Sequence, residues 1–334
     1  MSFRLPALAL LLSSALPALA DEINVYSHRQ PELIQPLVDA FTAETGITVN
    51  VAFIDKGMAE RLVAEGDRSP ADVVLTVDIA RLMQIVEAGV TQPVTSTVLE
   101  ADIPATLRDP ENRWFGLTTR ARIVYAAKDR VQPGEVTTYE DLADPKWKGR
   151  ICTRSGLADY NVALTSAMIA HHGEDYTKGW LEGLKANLAR KPEGGDRDQV
   201  KAIAAGLCDI AIGNTYYIGQ MLADPEQAPA AEAVNVLFPV FEGDGTHVNI
   251  SGMAMTKAAP NREAALKFME WLTTDAAQKI YAETNNEYPV KPGVERSALV
   301  ASWGDFTPDS KTLAEIAALR PAALKLVETV DFDG

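Results

Sequence analysis

The chain is poor in the residues that build most metal and catalytic centres. Its 334 residues include only two cysteines and four histidines. Two cysteines exclude a cysteine-rich zinc or iron–sulfur protein. The sequence holds no G-x-S-x-G, no H-E-x-x-H, no P-loop and no G-x-G-x-x-G. The usual signatures of hydrolases, metalloproteases and nucleotide-binding enzymes are therefore missing, and an enzyme is not expected. Beyond the N-terminus, no segment reaches the roughly 18 uninterrupted apolar residues of a membrane span. There is no internal repeat and no low-complexity tract. Basic residues are the minority, 31 Lys+Arg against 46 Asp+Glu, for a net charge of −15. Such a chain is a poor ligand for nucleic acid or anionic membrane and suits cationic partners.

What is present reads as globular. Hydrophobic residues make up 47% and charged residues 23%, and the 22 Gly and 19 Pro are ordinary, which excludes collagen-like and disordered chains. The length suits two domains, each able to bury a core. Residues 1–20 read as a secretory signal: Arg4 gives a positive start, an apolar stretch follows over 5–12, and Ala18-Leu19-Ala20 fits small-x-small cleavage before Asp21. No Cys follows the cleavage point, which argues against a lipid anchor. The expected compartment is the periplasm or the exterior, where disulfides persist. Cys152 and Cys208 are the only available pair. A bridge would contribute about 4 kcal/mol on the chain-entropy model; the alternative is two separate buried thiols.

Periodicity gives an α/β order. Strands are expected over 22–27, 47–54 and 71–77, alternating with helices from Pro31, over 57–66 and after Asp78, a residue suited to N-capping. That alternation predicts a parallel sheet. A second run follows, with strands over 121–127, 150–153, 207–212, 234–240 and 248–255. Its helices are expected over 158–172, 176–189, 198–205, 262–272, 275–282 and 310–327. Two such lobes in a secreted chain suggest a binding protein, with its ligand in the cleft at strand C-terminal ends. Candidate hinges are 116–122 and 241–251.

The sharpest feature is Gly213-Asn214-Thr215-Tyr216-Tyr217, between a strand and a helix over 216–222. At a helix start two adjacent phenols lie about 100° apart, so both can lean into one cleft. Asn214 or Thr215 can cap the helix. A phenol has a pKa of about 10, and a hard trivalent cation would displace its proton. Two ordinary interfacial aromatics are the alternative. Tyr160 follows a similar strand–loop–helix pattern, and Ser155-Gly156 before it can offer a hydroxyl and backbone N–H groups to an anion. Arg29, in Tyr26-Ser27-His28-Arg29-Gln30-Pro31, can hold an oxyanion bidentately or form a surface ion pair. The one close histidine cluster, His171-His172-x-Glu174, reads as an exposed helix end.

At these residues the sequence resembles the ferric-ion-binding periplasmic proteins of bacterial iron ABC transporters, over nearly the whole mature chain. The likeness runs through INVYSHRQPELIQPLVDAFTAETGITV, GDRSPADVVLTVDIARL, RSGLADYN, GDRDQVKAIAAGLCDIAIGNTYYIGQML and EAALKFMEWLTTDAAQKIYAETNNEYPV. The resemblance implies a two-lobed α/β fold of the type II periplasmic binding class, each lobe a mixed sheet flanked by helices. It implies a lobe division of 21–118 with 249–300 against 119–248 with 301–334. It makes Tyr216 and Tyr217 iron ligands as phenolates, and Tyr160 a third. Ser155, Gly156 and Asn214 match positions that hold a synergistic anion in some members; Arg29 and Arg120 match cleft arginines. The chain departs from part of the family: Gln30 and Pro31 stand where many members place a first-loop His and, in some, a Tyr. Val77 follows Thr76 where another subgroup has an acidic ligand. His28 is one position out of place for a ligand. The implied set is three tyrosinates completed by carbonate or another small anion, in a monomeric carrier that delivers Fe3+ to an inner-membrane permease. The alternative is a small organic cation or oxyanion on the same fold.

Overall fold

The computed structural model describes residues 22–334. The expected signal segment and its cleavage point lie outside the described residues. Among the described residues nine strands occur, in chain order β1 (Glu22–Ser27), β2 (Thr48–Phe53), β3 (Val73–Thr76), β4 (Phe115–Ala127), β5 (Ile151–Cys152), β6 (Ile210–Asn214), β7 (Val234–Leu237), β8 (Val248–Met255) and β9 (Tyr288–Pro289). Their order is β2-β1-β3-β8-β4-β6-β5, with β7 and β9 also paired to β4. β1 pairs parallel with β2 and β3, as the β-α-β alternation requires. β8 and β4 then run antiparallel, so the sheets are mixed.

β4 joins the two halves. Its first part pairs with β8 up to Ala121↔Val248, and its second part pairs with β6 from Arg122↔Asn214 and with β7. The sequence pattern shows only 121–127 as strand. The earlier part, Phe115–Arg120, carries Thr118, Thr119 and Arg120 and a pairing irregularity between Gly116 and Thr118, which hide the apolar run. Both hinge candidates, 116–122 and 241–251, fall on or beside this paired β4–β8 crossing.

Each half has its own core. On one side Phe41, Phe115, Phe268 and Trp271 pack around β1, β3 and β8, with Phe41 edge-on to Phe268 at 4.9 Å between ring centres. On the other, Tyr125, Trp147, Met168, Trp180 and Ile212 pack around β4 and β6. The Cys152–Cys208 disulfide is formed in this second half, with its Cα atoms 5.9 Å apart.

Local chemistry places most elements. Pro31 opens the helix Pro31–Thr45, and Gly46, left-handed at φ 74°, closes it. The Asp78 carboxylate accepts from the N–H groups of Ala80 and Arg81, capping Ile79–Glu87. The helix expected over 310–327 is two helices, Leu313–Ala318 and Arg320–Thr329, with Pro321 in the first turn of the second. No described helix is long and apolar enough to cross a membrane.

Candidate metal centre

Two strand–helix junctions in the second half bring the tyrosines together. β6 ends at Asn214, and Tyr216–Leu222 follows at once as a helix. Gly213 is required here: a Cβ would lie 2.1–2.4 Å from the ring and hydroxyl of Tyr125. That close approach lets the Tyr125 hydroxyl donate to the Asn214 carbonyl at 2.5 Å, fixing the end of the strand. Tyr160 projects from the first turn of Asp159–His172. The Tyr216 hydroxyl donates to the Tyr160 hydroxyl at 3.2 Å, and the Tyr216 and Tyr217 rings lie 4.3 Å apart. All three line one cleft of about 350 Å³.

A buried network holds this arrangement. Arg122 donates to Asp196 at 2.6 Å, to Asn214 at 3.0 Å and to Asn161 at 2.6 Å. Asp196 also accepts the Asn214 backbone N–H at 2.9 Å. Asn214 then donates its side-chain amide to the Tyr216 hydroxyl at 3.3 Å. Asn214 is thus a positioning residue for Tyr216; neither it nor Thr215 caps the helix with its side chain.

The cleft is cationic although the chain is acidic. Arg29, Arg81, Arg120 and Arg197 line it, against the carboxylates of Asp55 and Glu287. Glu287 sits between Arg29 at 3.0 Å and Arg120 at 3.2 Å. Burial alone would raise its pKa, but the two guanidiniums outweigh burial and hold it at about 2. Arg29 is engaged further by Asn285 at 2.8 Å and by Ser251. Arg120 keeps Nε and Nη1 without a hydrogen-bond partner among the described residues, and Arg29 keeps only Nε. Burial also raises the phenols. Tyr217 is pushed up to about 12, by burial first and the nearby Tyr160 second, and Tyr216 goes well above the usual value for the same reasons. Both phenols are therefore protonated at neutral pH without a cation.

The expected anion residues separate. Arg29 and Arg120 reach the cleft. Ser155 and Gly156 do not line it: the Ser155 hydroxyl and the Gly156 N–H both donate to the Asp333 carboxylate near the C-terminus. His28 and Gln30 line the cleft, and burial and Arg81 lower His28 to about 4, so it is neutral. Tyr26 turns away, donating to Glu65 at 2.9 Å. Glu287, Arg122 and Arg197 went unmarked in the sequence. Glu287 lies between the helices expected over 275–282 and 310–327, and only the need of two buried guanidiniums for a counter-ion points to it.

Residues 27–279 match the bacterial extracellular solute-binding proteins. The chain belongs to that family. It is 47% identical to iron uptake protein A1 of a Synechocystis species, over 92% of this chain and 86% of that protein. It superposes on apo ferric ion-binding protein A of Pasteurella haemolytica with a TM-score of 0.89 at 54% identity, covering 94% and 99% of the two chains. A Trichodesmium protein solved with iron and citrate gives a TM-score of 0.89 at 45% identity, covering 93% and 99%. The architecture is thus that of the type II periplasmic binding proteins.

Proposed function

We propose that this solute-binding protein captures ferric iron in the periplasm, with Tyr160, Tyr216 and Tyr217 as phenolate ligands, and hands it to an inner-membrane ABC importer. The convergence of three phenols carries the reading. Ferric iron is a hard ion that prefers anionic oxygen, and three phenolates balance its charge without thiol or imidazole. The raised phenols add selectivity: only a strongly polarising cation can displace protons held this firmly. The relatives with iron in their names support the same cargo.

An anion completes the site. With the three phenolates neutralising the ion, the cleft arginines still exceed the carboxylates, and a bound dianion offsets that excess. Arg120 is the main donor, because Nε and Nη1 are both uncommitted. Carbonate and citrate both fit this chemistry, and the Trichodesmium protein was solved in complex with iron and citrate. The partner switch in β4 at Ala121–Arg122 supports the division of the lobes at 118/119 and 248/249 and a hinge at the β4–β8 crossing. Closure there would bury the ion and opening would release it. The N-terminal segment supports export and cleavage after Ala20.

Equilibrium competition of the mature protein against ferric citrate tests the ligand set. Tyr216→Phe and Tyr217→Phe should each weaken iron binding by orders of magnitude, since each deletes an anionic oxygen; unchanged affinity removes that residue from the site. Arg120→Ala should abolish any dependence on added bicarbonate or citrate, and an unaltered dependence assigns the anion elsewhere. A protein that binds no iron at all instead favours a small organic cation or oxyanion.

A further inference from the structure

The pair His171-His172 is not an exposed helix end. The His171 side chain is only 8% exposed, stacks on Phe241 at 4.2 Å between ring centres, and meets Asp309 with Nε2 2.9 Å from Oδ1. Asp244 completes a group whose ligand atoms all lie within 4.8 Å of one another. The three residues come from three separate segments: the end of the helix Asp159–His172, the turn after Phe241, and the stretch that returns to this half of the molecule before Leu313–Ala318. We propose that His171, Asp244 and Asp309 form a second metal site, for a divalent borderline ion of the zinc type, separate from the tyrosine cleft.

Two observations point to a cation there. The first is Asp309 itself. Its side chain is 1% exposed, and although Oδ1 accepts from His171 and from the Lys311 N–H at 3.0 Å, Oδ2 has no partner among the described residues. A buried carboxylate with an orphan oxygen is costly unless a cation faces it. The second is spacing. Zinc–nitrogen and zinc–oxygen bonds of about 2.0–2.2 Å in a tetrahedron place neighbouring donors a little over 3 Å apart. His171 Nε2 and Asp309 Oδ1 already stand near that separation. An ion would take the place of the Nε2 proton between them: in the neutral ring the N–H is then carried on Nδ1, and from the imidazolium one proton leaves to solvent. Imidazole selects against magnesium and calcium, and two carboxylates neutralise a 2+ charge.

Asp244 is held in place by its own contacts. It accepts the N–H groups of Gly245 at 2.7 Å and Ser310 at 2.8 Å, and the Ser310 hydroxyl. Thr246 meanwhile bridges to Pro308. The ion would therefore staple the returning C-terminal stretch to the turn that leads into β8, beside the β4–β8 crossing.

The test is calorimetric titration of chelator-treated mature protein with Zn2+ alone, in a Tyr217→Phe background that disables the cleft. One zinc should bind. His171→Gln and Asp244→Asn should each weaken it about tenfold or more, as loss of a ligand costs at least what loss of an outer-shell partner does. Asp244 is partly exposed and its substitution is isosteric, so Asp244→Asn decides the matter if His171→Gln fails to fold. Zinc bound equally well by both variants, or by neither they nor the parent, overturns the site. An anomalous zinc peak between His171 and Asp309 in crystals of the parent protein supports it, and a peak confined to the tyrosines overturns it. Neither result bears on iron capture.

Discussion

Glu287 shows how much a single side chain carries. It is the counter-ion of two buried arginines, Arg29 and Arg120, and it also accepts from the Thr118 hydroxyl. Glu287→Gln leaves those guanidiniums without a fixed negative charge. Loss of one partner of a buried pair costs about 3–5 kcal/mol, so urea unfolding of this variant should show a loss of that order; a loss below about 1 kcal/mol would mean the arginines find compensation elsewhere. The pH dependence has a definite sign. The folded pKa of about 2 lies below the ordinary value of 4.5, so the contribution is fully present above that ordinary value. It fades as pH falls through the window between the two, by roughly 3 kcal/mol from the size of the shift. The Gln variant should lack that segment of the stability–pH curve. At this scale the sequence was readable where a motif existed. Tyr216, Tyr217 and Tyr160 stood out by their strand–helix setting. Glu287 did not, because a carboxylate in an irregular stretch acquires meaning only from arginines over 160 positions away.

At the scale of elements, the junction of β6 with the helix Tyr216–Leu222 decides the site. Gly213 lets the Tyr125 ring lie against the strand, and Tyr125 and Asp196 together anchor Asn214. Gly213→Ala must push that ring aside. We expect a loss of about 1–3 kcal/mol in denaturant unfolding, the usual cost of overpacking, together with weaker iron binding. Wild-type affinity in a folded Gly213→Ala protein would show that Tyr216 and Tyr217 do not depend on this anchor. Strands with clean alternation or apolar runs, such as β1 and β8, were legible to the residue. β4 was half legible, since its crossing segment carries Thr118 and Arg120, which serve Glu287. β9 was not legible: two residues paired to β4 have no local signature. The final helix broke where Pro321 favours a fresh first turn over continuation.

Over the whole molecule, charge and covalent linkage set the behaviour. An acidic body of net charge −15 surrounds a cleft whose arginines outnumber its carboxylates. Such a body attracts cations. Arg81 meets Asp159 at 3.3 Å, linking the helix after β3 to the helix that carries Tyr160. Both partners are about 30% exposed, so Arg81→Ala should cost no more than about 1 kcal/mol. The disulfide matters more. Replacing Cys152 and Cys208 by Ala should lower stability by about 2–5 kcal/mol, read as a reduced melting temperature that a reductant cannot lower further. An unchanged melting temperature would show the bridge to be dispensable. The central claim is tyrosinate capture of ferric iron, and visible absorption during titration of metal-free protein with ferric citrate tests it most directly. A phenolate-to-iron charge-transfer band that saturates at one equivalent, and is lost in Tyr217→Phe, is the predicted result. The absence of any such band at every iron level would contradict the account.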